Sequence, residues 1–91
     1  MRWITYYEFL GNISNVTVHA NKADAEKYFK AHCKSYFELN RDVRVKLPMR
    51  YGFPFRAFYG VSLLTFKRRM MEKFNMTEKE FNEELKECVE G

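Results

Sequence analysis

The stretch that decides the fold is RWITYYEFLGNISNVTVHA, residues 2–20. Its first half is rich in aromatic and β-branched residues, which predicts a strand from about Arg2 to Phe9. Its second half ends in NVTVHA, where valines alternate with polar residues as in a strand with one buried face. Gly11 and Asn12 predict a turn of several residues between the halves, so we expect an antiparallel hairpin.

An amphipathic helix is predicted next, from the N-cap Asn21 to about Asn40. Asp24 lies in its first turn, where a carboxylate interacts favourably with the helix dipole. The apolar face is formed by Ala25, Phe29, His32, Cys33, Tyr36 and Leu39. After the helix, the alternating residues 42–47 (DVRVKL) predict a third strand that Pro48 ends, with arginine and lysine on its outer face.

Residues 48–60 contain two prolines, two glycines and five aromatic residues, which predicts an ordered loop with a short strand at 55–59. A helix capped by Ser62 should follow and run to Phe74. The spacing of leucine, phenylalanine and methionine along this helix places an apolar stripe on one face.

The last helix has a clear N-terminal signature. Thr77 and Glu80 form the pattern of a capping box, and Met76 can pack on Phe81 as a hydrophobic staple. The predicted buried stripe of this helix consists of Phe81, Leu85, Cys88 and Val89. The residues between them are mostly glutamates, which predicts an acidic exposed face.

These elements predict an α+β fold in a single domain, residues 1–91, with the order ββαβαα. A small antiparallel sheet, made of the hairpin and the third strand, should be packed by the first helix and followed by a C-terminal helical hairpin. Because 46% of the residues are hydrophobic, the chain has enough apolar surface to fold. The absence of a long apolar run or a secretory signal favours a cytoplasmic protein that does not enter the membrane.

Charge is distributed unevenly along the chain. Residues 1–40 have five basic and four acidic side chains, residues 41–73 have nine and two, and residues 74–91 have two and six. The middle is therefore basic and the end acidic, which bears on association with partners more than on the fold.

No residue pattern indicates catalysis, and we expect no metal and no cofactor. His32 and Cys33 are neighbours on a helix, so their side chains diverge by about 100° and would not meet on one zinc ion. The carboxylates show the spacing of a solvated surface, and no glycine-rich phosphate loop is present. These observations favour a binding protein over an enzyme.

The basic middle of the chain predicts a binding surface in which cations and aromatic rings are interleaved. The expected contact residues are Arg44, Lys46, Arg50, Tyr51 and Arg56, supported by Arg68 and Arg69. The alternative is that the aromatic rings of this segment close the core and the arginine stems cover it. A DNA-binding helix-turn-helix is disfavoured, because its recognition helix would be the acidic one.

The acidic helix predicts a second contact, with Glu80, Glu84 and Glu87 facing a basic groove of a partner protein. Together the two surfaces suit a partner that carries both signs of charge. The leading hypothesis is a non-enzymatic protein that acts stoichiometrically on a nucleic-acid-processing protein complex, such as a phage or mobile-element inhibitor of a host defence nuclease (anti-CRISPR-like or anti-restriction-like). The alternatives are a direct nucleic-acid-binding protein and an oligomerising structural module.

Overall fold

The computed structural model describes residues 1–39, 49–53 and 56–91. Its elements are β1 (Trp3–Phe9), β2 (Asn12–His19), α1 (Lys22–Leu39), β3 (Arg50–Phe53), β4 (Arg56–Ser62), α2 (Leu63–Phe74), α3 (Glu78–Lys86) and β5 (Val89–Glu90). The strands form one sheet in the order β3-β4-β1-β2-β5, in which only β5 is parallel to its neighbour. The predicted α+β class, with a helical hairpin near its end, is confirmed.

The first hairpin is tighter than predicted. Phe9 pairs with Asn12, so only Leu10 and Gly11 form the turn, and β2 begins three residues before the expected Asn15. Both turn residues have positive φ, 48° and 84°, as two-residue turns that match the strand twist require. Leucine rarely adopts this conformation, so local sequence does not indicate a turn that begins at Leu10.

The central strand β1 divides the core into two layers, because its successive side chains point to opposite faces of the sheet. On one face, a core shared with α2 and α3 contains Ile4, Tyr6, Val18, Val61, Phe66 and Phe81. On the other face, a core shared with α1 contains Ala25, Phe29, Met49, Tyr51 and Phe58. The sheet is therefore covered by a single helix on one side and by the helical hairpin on the other.

The predicted starts of α1 and α2 are confirmed. Asn21 Oδ1 accepts the backbone N–H of Asp24 at 2.9 Å, and Ser62 Oγ accepts that of Thr65 at 3.2 Å. The left-handed conformation of Asn75, with φ of 52°, ends α2. These side chains satisfy backbone groups that a helix terminus leaves without a partner.

The helix α3 begins as predicted but ends earlier. The capping box is complete, with the Thr77 hydroxyl accepting from the Glu80 N–H and the Glu80 carboxylate accepting from the Thr77 N–H. The helix stops at Lys86, however, and the expected buried Val89 is 68% exposed in β5. Backbone pairing with the edge of β2 replaces the final helical turn, an alternative that helical periodicity does not detect.

The second hairpin, β3 and β4, was predicted only in part. The segment 48–60, expected to be a loop, contains β3 and most of β4, and β4 runs on to Ser62 beyond the short strand predicted at 55–59. Gly60 lies inside β4 because a Cβ there would be 2.7 Å from the Met49 side chain. The predicted third strand at 42–47 lies outside the described residues. None of the described helices is long and apolar enough to cross a membrane.

Candidate cationic binding surface

Two arginines from different elements meet at one tyrosine ring. Arg50 begins β3, directly opposite Tyr59 of β4, and Arg69 lies on α2. The guanidinium carbons of Arg50 and Arg69 lie 5.7 Å and 5.4 Å from the centroid of the Tyr59 ring. Arg50 Nε also donates a hydrogen bond to the Tyr59 hydroxyl at 3.1 Å. The two distances from the guanidinium carbons to the ring centroid are within the range of a cation–π interaction.

Buried Tyr6 contacts both Tyr59 and Arg69. Tyr6 of β1 pairs with Tyr59 in the sheet, and their rings stack with centroids 5.2 Å apart and planes inclined by 20°. Arg69 Nη1 donates to the Tyr6 hydroxyl at 2.8 Å. Burial raises the pKa of Tyr6, although Arg69 opposes that shift, so the hydroxyl stays neutral at physiological pH. We call Arg50, Tyr59, Arg69 and Tyr6 the arginine–tyrosine cluster.

The two arginines of the cluster differ from the neighbouring lysines in their ion pairing. Among the side chains that the structure describes, no carboxylate forms a salt bridge with Arg50 or Arg69. The lysines of α2 differ in this respect, since Lys67 pairs with Glu78 and Lys73 pairs with Glu8. The hydrogen bond from Lys67 lowers the pKa of Glu78. Within the described part of the chain, Arg50 and Arg69 are therefore cations on this side of the sheet that have no carboxylate partner.

The other predicted basic residues have different outcomes. Arg68 is exposed on α2, next to the cluster in sequence, and Arg56 begins β4 opposite Phe9. Tyr51, expected as a surface ring, is only 4% exposed and belongs to the core under α1. That prediction was wrong because the side chain of a strand residue next to Arg50 must point to the opposite face of the sheet. The two remaining predicted contact residues, Arg44 and Lys46, lie outside the described residues.

The acidic residues predicted for partner contact all lie at the surface, with different local roles. The Glu80 carboxylate caps its own helix, whereas Glu84 and Glu87 are exposed near the C-terminal end of α3. Since α2 and α3 pack together on one face of the sheet, cationic and anionic helices lie side by side. The salt bridge between Lys67 and Glu78 joins the two helices.

The two histidines lie on the α1 side of the sheet, His19 buried and His32 half-buried. His19, expected on the polar face of its strand, is only 1% exposed because α1 covers that face, and its Nε2 lies 2.9 Å from the Thr5 hydroxyl. Tyr28 lies between His19 and His32, with ring centroids 4.9 Å and 4.3 Å away. Burial lowers the pKa of both histidines, and for His19 the charge of Asp24 opposes the shift.

Two further kinds of site, a metal site and a reactive thiol, depend on the placement of the His, Cys, Asp and Glu side chains. Within the described part of the chain, no three His, Cys, Asp or Glu side chains are placed to hold a metal ion. Cys88 is a half-buried free thiol whose Sγ donates to the Glu84 carbonyl oxygen at 3.4 Å. Burial, followed by the charges of Glu84 and Glu87, raises the pKa of this thiol, which opposes formation of a nucleophilic thiolate.

Tyr6 is the member of the cluster that sequence reasoning did not assign to a site, whereas Tyr59 was among the rings expected beside the basic residues. Tyr6 was part of a predicted strand, and only its pairing with β4 brings it beneath Tyr59. No local pattern signals this contact, because it depends on strand register across more than fifty residues of chain.

Comparisons with known proteins leave the function to be argued from this geometry. No family model, curated protein or solved structure matches the chain.

Proposed function

We propose that this chain is a small, non-enzymatic binding protein that acts stoichiometrically on a nucleic-acid-processing protein complex. The observation that carries the proposal is the separation of charge on the helical-hairpin side of the sheet. There α2 presents exposed arginines next to α3, which presents exposed glutamates. A complex of protein and nucleic acid offers surfaces of both signs, so it can meet both helices.

In this proposal the acidic helix contacts the protein component. Glu84 and Glu87 lie three residues apart near the end of α3, and both are exposed. A row of carboxylates has the charge that a basic nucleic-acid-binding groove accepts, and such pairing steers encounter as well as specificity. An inhibitor of a host defence nuclease, of the anti-CRISPR or anti-restriction kind, is one class of protein that works in this way.

The test is affinity capture with the immobilised full chain, after nuclease treatment of the lysate, followed by mass spectrometry. We expect a nucleic-acid-binding complex to be retained at a fixed stoichiometry and to be lost with the E84K variant. Glu26 lies on α1, on the other side of the sheet, so E26K provides a charge-reversal control. Circular dichroism of E26K checks its fold, because Glu26 is half-buried and pairs with Lys22. Equal capture by native chain and E84K, or equal loss with E84K and E26K, would contradict the proposal.

A further inference from the structure

The two arginines of the arginine–tyrosine cluster retain most of their hydrogen-bonding capacity. A guanidinium group has five N–H donors. Arg50 uses Nε for the Tyr59 hydroxyl, and Arg69 uses Nη1 for the Tyr6 hydroxyl. Neither has a carboxylate partner among the described side chains, so the remaining donors of both groups are available to an anion.

Both guanidinium groups are also held in place before any ligand arrives. Each has a hydrogen bond to a tyrosine hydroxyl and lies against the Tyr59 ring. The anchor of Arg69 is itself fixed, because Tyr6 is only 2% exposed and stacks on Tyr59. Ordering a long, flexible side chain on binding costs conformational entropy, and these contacts reduce that cost in advance.

The same contacts make the cluster unsuited to base stacking. One face of the Tyr59 ring is covered by Tyr6, and the two arginines lie against the ring as well. Tyr51, the other tyrosine of this region, is buried. Stacking requires an open aromatic face. The cluster therefore offers cationic donors for an anion, and not a platform for bases.

We propose that the arginine–tyrosine cluster binds the phosphodiester backbone of nucleic acid, without reading the bases. The inference deepens and rests on the proposed function, in which nucleic acid is a component of the partner complex. Planar guanidinium groups match phosphate oxygens in pairs, and two such groups near exposed Arg68 can follow a line of phosphates. An acidic protein surface is the competing ligand that the experiment must separate.

The experiment measures fluorescence anisotropy of two labelled strands of equal length, one with bases and one abasic, over a series of salt concentrations. We expect the native chain to bind both strands with similar affinity. The R50Q/R69Q variant should reduce the slope of log K against log salt by about 1.4, since each phosphate contact of a single strand contributes about 0.7. The matched control is K27Q/K30Q, which removes two exposed lysines from α1 on the other side of the sheet.

The single variant R50Q tests the same inference with less risk of unfolding the protein. The hydrogen bond of Arg50 is exposed, whereas that of Arg69 joins it to the buried Tyr6. R50Q should retain the native circular dichroism spectrum and reduce the slope by about 0.7. Three results would overturn the inference. The first is no binding to either strand at low salt, and the second is a reduction of the salt slope by K27Q/K30Q as large as that by R50Q/R69Q. The third is binding to the base-containing strand at least about tenfold tighter than to the abasic strand, as stacking would give.

The two proposals can fail separately. Capture of a complex that depends on Glu84, together with no binding to either strand, overturns the phosphate assignment and leaves the function intact. Binding to both strands, together with capture that E84K does not change, overturns the proposed function.

Discussion

Acidification should destabilise this protein through buried His19 and half-buried His32. His19 lies against Thr5 of β1 and Tyr28 of α1, with the Asp24 carboxylate as the charged group that acts on it. His32 is surrounded by Tyr28, Tyr7 and Phe58. Burial lowers the pKa of both imidazoles in the folded state.

The direction of the pH effect on stability follows from which state, folded or unfolded, binds more protons. In the unfolded chain a histidine titrates near pH 6.5, whereas the buried rings remain neutral to lower pH. The stability that these rings contribute is therefore complete above about pH 6.5 and is lost as the pH falls towards the folded pKa values. A ring that binds no proton in the fold down to pH 5.5 sets the upper limit, a fall of about 1.4 kcal/mol in the free energy of unfolding between about pH 7.5 and 5.5. Half-buried His32 should contribute less than this limit, because solvent screens its charge.

Urea unfolding followed by circular dichroism at several pH values from about 7.5 to 5.5 measures this loss, which is at most about 2.7 kcal/mol for both rings. The H32F variant keeps a ring in contact with Tyr28 and Phe58 and removes one titrating group, so its loss should be smaller than that of the native chain. An unfolding free energy that does not change over this range, or a decrease as large in H32F as in the native chain, would refute the reasoning.

Three further predictions concern local structure and are checked by the same denaturation assay at neutral pH. Gly60→Ala should destabilise the fold by about 1–3 kcal/mol, because the added Cβ would meet buried Met49; a neutral effect would mean that Met49 moves freely. Thr77→Ala should cost about 1 kcal/mol through loss of the capping bond to the Glu80 N–H, whereas Thr77→Ser should retain it. Leu10→Gly should stabilise by about 1 kcal/mol, since Leu10 is exposed and has φ of 48°; destabilisation would show that its side chain contributes to packing.

Of the candidate site, the sequence supplied the cations but not their arrangement. The spacing of basic residues identified Arg50, Arg68 and Arg69 as surface candidates, and all three are exposed. It also assigned Tyr51 to the surface, because aromatic and basic residues alternate around it. The register of β3 with β4 decides which of these side chains point to each side of the sheet, and local sequence does not contain that register.

The sequence by itself determined the features that depend on neighbouring residues. These are the first hairpin, the caps at Asn21, Ser62 and Thr77, and the acidic character of α3, because capping and amphipathic patterns act within about one turn of chain. Only the tertiary structure decided where α3 ends and that His19 is buried, because the sheet edge and the covering helix are distant in sequence. Tertiary packing also stacked Tyr6 on Tyr59 and brought Arg50 and Arg69 to the Tyr59 ring. The contact between the tyrosines is fixed by strand pairing and by no local preference.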